Sequence, residues 1–273
     1  MLQTFEGGRA LGQLRSAIRD QFAARRHSAL LAALIVAFTV RPLIGNGGAG
    51  YIVFSAALLI LVLIALYNIN VDELIGEREN LLAQSRRRRR IGWVLVATAF
   101  AERLGVAYAH SRTFELIGSI GWLLLLFFVT WSTLRGLLKQ KAVTSETISM
   151  SISVYLMLAF TWGLLYVVIF LLQPGAFSVA GLPPPIPGHP ADTRPMFPIL
   201  GYFSLITLST VGYGDITPLT IQARFAAAAE GITGQFYLAI LVARLVGMQM
   251  TQSSNQPVNQ TLSSRSEDPA KKD

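Results

Sequence analysis

Six long apolar runs divide this chain, at residues 28–44, 49–67, 91–109, 116–138, 148–172 and 221–248. A helix rises about 1.5 Å per residue, so about 20 apolar residues cross the hydrocarbon core of a bilayer. Runs of this length predict an all-α membrane protein with six transmembrane helices, because a helix satisfies all its backbone polar groups within one segment. A chain of 273 residues that is 52% hydrophobic and only 14% charged is too apolar for a soluble globule. Arg9, Arg15, Arg19, Arg25 and Arg26 precede the first run, the charged-then-apolar order with which a signal peptide also opens. The run ends in Arg41-Pro42-Leu43-Ile44-Gly45 without a convincing cleavage site, and the second run follows almost at once. A retained helical hairpin is expected.

Between the fifth and sixth runs stands Thr210-Val211-Gly212-Tyr213-Gly214-Asp215. Gly212 and Gly214 lack a Cβ, so the backbone there can take the positive φ angles that turn successive carbonyls to one side. Alone, the hexamer reads as an ordinary glycine turn. Ahead of it, 197–208 is apolar but too short to span a bilayer, with Pro198 in a first-turn position. That predicts a re-entrant helix whose C-terminal dipole end faces the hexamer and favours a cation.

On these residues the sequence resembles the tetrameric potassium-channel family, in particular a bacterial six-helix, single-pore channel without a voltage-sensor arginine array. The resemblance is specific over residues 148–248. It implies a selectivity filter of Thr210, Val211, Gly212, Tyr213 and Gly214. Four chains would ring potassium ions with oxygens of Thr210, Val211, Gly212 and Tyr213, and Asp215 would stand at the outer mouth. A homotetramer conducting potassium passively is the implied assembly, with no cofactor beyond the permeant ion. A less selective cation channel and a potassium transporter subunit are the alternatives.

Aligned without gaps on the two-helix core of that family, Gly234 falls at the gating-hinge position, with Gly231 one turn earlier. For Gly231 the plainer reading is close packing against the re-entrant helix. Gln235, Leu238, Val242 and Val246 share a helical face and are candidates for the cavity wall. Phe203, Ser204, Thr207 and Glu230 are candidates for filter support. Ile206 stands where some relatives carry a glutamate, and Phe203 where an aromatic donor to the post-filter aspartate is common. Phenylalanine has no such donor, so Asp215 is expected to lack its usual partner. Glu230, the only acidic residue of the last run, is costly in a membrane unless paired or wet. It is expected either to brace the filter by accepting from Ser204, Thr207 or a backbone donor, or to be a neutral carboxyl held by a neighbouring helix.

Charge orients the chain. With both termini in the cytoplasm, all of the 23 Lys and Arg except Arg41, Arg103, Arg112, Arg194 and Arg224 fall on or near the cytoplasmic side. A filter entered from outside requires the same direction for the last helix. A multi-pass protein of the plasma membrane, of bacterial inner-membrane type, is expected. The net charge of +8 sits in blocks between apolar runs, which suits lipid and not nucleic acid. Residues 1–27 read as a basic cytoplasmic N-terminus and 28–138 as a four-helix unit. In its linker, 68–90, Asn70 and Glu73 have capping-box spacing, and Val71, Leu74, Ile75, Leu81 and Leu82 recur at helical period. Arg86-Arg87-Arg88-Arg89-Arg90 then anchors the third helix and can rest on anionic lipid.

The 116–134 stretch contains no basic residue, unlike a voltage sensor. Glu102 and Arg103, being adjacent on a helix, face different ways and suit pairing with neighbouring helices. The segment 173–196 holds Pro183, Pro184, Pro185, Pro187, Pro190 and Pro195 and predicts an extended, polyproline-like turret. Residues 249–273 form a polar tail expected to be disordered. The chain has no cysteine, and His27, His110 and His189 show no metal-ligand spacing. No cluster of catalytic polar residues suggests an enzyme, and no internal repeat suggests a secondary transporter.

Overall fold

The computed structural model describes residues 26–44, 112–140, 143–180 and 196–254. The elements there are α1 (Arg26–Ile44), α2 (Arg112–Lys139), α3 (Ser145–Leu172), β1 (Phe177–Val179), α4 (Met196–Leu208), β2 (Ile216–Pro218) and α5 (Ile221–Ser254). Among the described residues, three segments are long and apolar enough to cross a membrane: Thr113–Lys139, Ser145–Leu172 and Ile221–Met250. The protein is a mostly helical membrane protein. The second and third expected helices, the 68–90 linker with Arg86–Arg90, Glu102 and Arg103, most of the proline-rich segment and the tail beyond 254 lie outside the described residues.

Helix α3 is the hub, packing against α1, α2, α4 and α5. Its start is fixed by Thr144, whose backbone is extended (φ −128°, ψ 166°) and whose side chain accepts from the Thr147 N–H at 3.2 Å. Its end is set by Pro174, which cannot continue a helix, and by Gly175 at φ +90°. On one side of α3, Leu30, Leu34 and Ala37 of α1 and Trp122, Leu125, Leu126 and Val129 of α2 close over Met157, Phe160 and Leu164. On another, Tyr166, Phe177 and Phe203 meet edge-on with ring centroids 5.1–5.6 Å apart. Helix α4 seats on α3 through glycines: a Cβ on Gly163 would stand 2.9 Å from the Gly201 Cα. Only glycine permits that approach.

The first part of the proline-rich segment departs from expectation. Residues 173–180 are not free polyproline geometry; they turn at Gly175 and enter β1, which pairs antiparallel with β2 just past the hexamer. The Ala180 N–H donates to the Asp215 carbonyl and the Leu219 N–H to the Ala176 carbonyl, both at 2.8 Å. The end of α3 is thereby laced to the residues that follow Asp215. Thr217 and Pro218 belong to this strand, and Thr220 caps α5, accepting from the Ala223 N–H at 3.4 Å.

Helix α5 contacts the rest of the chain along a narrow stripe that includes Ala223, Glu230, Gly234, Tyr237 and Leu241. Phe225, Ile232, Phe236, Ile240, Val242 and Val246 of α5 are exposed.

Candidate functional site

The hexamer is held at the end of α4 by the backbone. Helix α4 has 13 residues, about 20 Å at helical rise, and stops short of a full span. At its C-terminus the Ile206 carbonyl accepts from both the Val211 N–H at 2.8 Å and the Gly212 N–H at 3.1 Å. The Thr210 N–H donates to the Thr207 carbonyl at 3.0 Å. Ile206 and Thr207 therefore support the hexamer through main-chain oxygens.

Thr210, Gly212 and Gly214 have φ of 61°, 53° and 79°, whereas Val211 and Tyr213 between them stay at negative φ. Such alternation turns successive carbonyls the same way. Glycine adopts these angles readily; a β-branched threonine does so at a cost and needs its surroundings to hold it. Here the Thr210 hydroxyl donates to the Ser209 carbonyl at 2.6 Å. The glycines signalled their own conformation in the sequence, but Thr210 gave no such signal. Val211 and Tyr213 are exposed, Tyr213 at 73%.

Behind the hexamer lies a polar cluster sealed from solvent: Glu230, Ser204 and Tyr166 are all 0% exposed. Ser204 of α4 and Tyr166 of α3 each bond one oxygen of the Glu230 carboxyl. The Ser204 hydroxyl also donates to the Ala159 carbonyl at 2.6 Å. The Ser204 hydroxyl thus points between the Ala159 carbonyl and one Glu230 oxygen, and the Tyr166 hydroxyl donates to the other Glu230 oxygen. Of the partners expected for Glu230, Ser204 is present, whereas Thr207 contributes its carbonyl to Thr210 instead. Tyr166, 64 residues away in sequence, is the partner that local helical geometry missed.

Phe203 is buried in the aromatic trio and has no hydroxyl to donate to Asp215. Among the described residues, Asp215 Oδ1 has no hydrogen-bond partner.

The two glycines of α5 also exchange parts. A Cβ on Gly231 would meet nothing within 4 Å, whereas one on Gly234 would overlap the Leu208 carbonyl oxygen. Close packing against α4 thus belongs to Gly234. The same Leu208 oxygen accepts from the Tyr155 hydroxyl at 3.1 Å, and Tyr155 lies against Tyr237 with rings 5.8 Å apart. Gln235, Leu238, Val242 and Val246 are all exposed on α5, but so are Ile232, Phe236 and Ile240 on other faces, and exposure in one chain does not single them out.

Residues 193–250 match the family model described as ion channel. The matched stretch takes in α4, the hexamer, β2 and α5 as far as Met250. It supports ion-channel activity within a helical membrane protein. No curated protein and no solved structure matches the chain.

Proposed function

We propose that four copies of this chain assemble into a potassium-selective channel whose filter is Thr210-Val211-Gly212-Tyr213-Gly214. The carrying observation is the alternation of positive φ at Thr210, Gly212 and Gly214, on a hexamer tied to the C-terminal carbonyls of a short helix. One filter strand per chain cannot surround an ion, so closure needs a ring of copies. The apolar residues left exposed on α5 are consistent with a face that covers itself against another copy or lipid. Asp215 then stands at the outer mouth, and potassium is bound by oxygens of Thr210, Val211, Gly212 and Tyr213. Both termini lie in the cytoplasm, and six helices per chain cross the plasma membrane. Gln235, Leu238, Val242 and Val246 line the cavity, and the inner helix bends near Gly231 and Gly234.

Gly212 offers the direct test. Alanine at φ 53° is strained whatever the space around it. Gly212→Ala is expected to abolish potassium flux into liposomes while native mass spectrometry still shows the tetramer. Undiminished potassium-selective flux from this variant removes the filter assignment.

A further inference from the structure

Two charged residues of the pore segment reach out and cap helices of the N-terminal unit. Glu146, in the first turn of α3, is half-buried against the start of α1. Its carboxylate accepts from the His27 N–H at 3.0 Å, the Ser28 N–H at 3.3 Å and the Ser28 hydroxyl at 2.5 Å. Those N–H groups lie in the first turn of α1 as described, where backbone donors call for a capping acceptor. Arg244, in the second half of α5, does the converse for α2. Its Nη1 donates to the Leu137 carbonyl at 2.7 Å, and its Nη2 to the Leu138 carbonyl at 2.8 Å and the Gln140 carbonyl at 2.6 Å. These are carbonyls at and just past the last turn of α2, which ends at Lys139.

The signs match the polarity of each helix end: a carboxylate sits on an N-terminus and a guanidinium on a C-terminus. Both caps are at one end of the bundle, since only residues 140–144 separate the end of α2 from the start of α3. This is the end away from the β1–β2 pair. We propose that Glu146 and Arg244 are positioning residues that clamp α1 and α2 to the pore segment, so that the inner end of α5 cannot move unless it drags or releases the end of α2. Arg244 lies ten residues beyond Gly234, about 15 Å along the helix, where a small bend becomes a large displacement. The seam between them is continuous: Leu241 and Tyr237 of α5 pack on Leu137 of α2 and Met150 and Val154 of α3, and the Tyr237 hydroxyl donates to the Ser151 carbonyl at 2.7 Å. The clamp gives the N-terminal helices a hold on the ion pathway that requires no charge array in α2. The inference rests on the channel reading for its gating consequence but not for the caps themselves.

The test uses the full chain in liposomes, with single-channel recording and amide hydrogen exchange on the same variants. Arg244→Gln is expected to change the open-to-closed ratio by about fivefold or more, with Arg244→Lys intermediate and the reversal potential unmoved, and to speed exchange in the last turn of α2. Glu146→Ala is expected to speed exchange at His27 and Ser28, with Glu146→Gln intermediate because its amide oxygen still accepts. The double exchange Glu146→Arg with Arg244→Glu separates this clamp from a mutual salt bridge. Each charge would then face a helix end of the wrong sign, so the double variant should be no better than either single one. Recovery in the double variant overturns the proposal, as does unchanged exchange in the single variants, or faster exchange with an unchanged open-to-closed ratio. If the unmodified chain passes no ions, the channel reading fails, and the exchange measurements alone decide the caps.

Discussion

Glu230→Val removes the acceptor at the centre of the cluster behind the hexamer, and the structure sets the size of the effect. Tyr166 is 0% exposed and its hydroxyl would be left without the Glu230 oxygen it bonds, whereas Ser204 keeps the Ala159 carbonyl. A buried hydroxyl left unsatisfied costs about 1–3 kcal/mol. Valine also leaves part of the carboxyl's volume empty between α3, α4 and α5. If that cost falls on the conducting filter, the ratio of conducting to collapsed channels drops about 5- to 150-fold, at about 1.4 kcal/mol per tenfold. Glu230→Gln should keep most of the current, because its amide oxygen still accepts from Tyr166 while its amide nitrogen can donate to the Ser204 oxygen, whose own proton has the Ala159 carbonyl. Adding Tyr166→Phe to Glu230→Val removes the stranded hydroxyl and should recover much of the loss. The assay is the inactivation time course and steady-state potassium current in excised liposome patches, with tetramer content checked by native mass spectrometry. Unchanged kinetics in Glu230→Val, or no recovery in the double variant, refutes the bracing role.

Other variants and conditions bear on separate parts of the account. Gly234→Ala should lower the melting temperature of the purified protein in detergent, because its methyl group overlaps the Leu208 carbonyl and overpacking costs about 1–3 kcal/mol; Gly231→Ala, with open space around it, should be neutral or slightly stabilising. Open probability should vary only shallowly between about −100 and +100 mV, since α2 has no basic residue from Thr113 to Leu134; a steep curve that persists without blocking ions contradicts this.

Length and hydropathy made the long helices among the described residues legible: α3 begins at Ser145 where the run begins at 148, and both end at 172. The short α4 was readable from Pro198 and its length, and Ser204 as a neighbour of Glu230 followed from helical geometry. Features that depend on distant segments were not readable. Tyr166 meets Glu230 across 64 residues, and Arg244 meets Leu137 across 107. The β1–β2 pair has three residues per strand, too few to show an alternating pattern. Thr210 is hidden for another reason: a β-branched residue disfavours positive φ, and only the hydrogen bonds around the hexamer hold it there.

Potassium selectivity is the central claim, and the bi-ionic reversal potential of the purified protein in liposomes tests it most directly. With potassium on one side and sodium on the other, the account predicts a reversal potential displaced strongly in the direction of potassium permeability. Rubidium in place of sodium should shift it only slightly from zero. A potassium–sodium reversal potential near zero, with currents of normal size, would contradict the account.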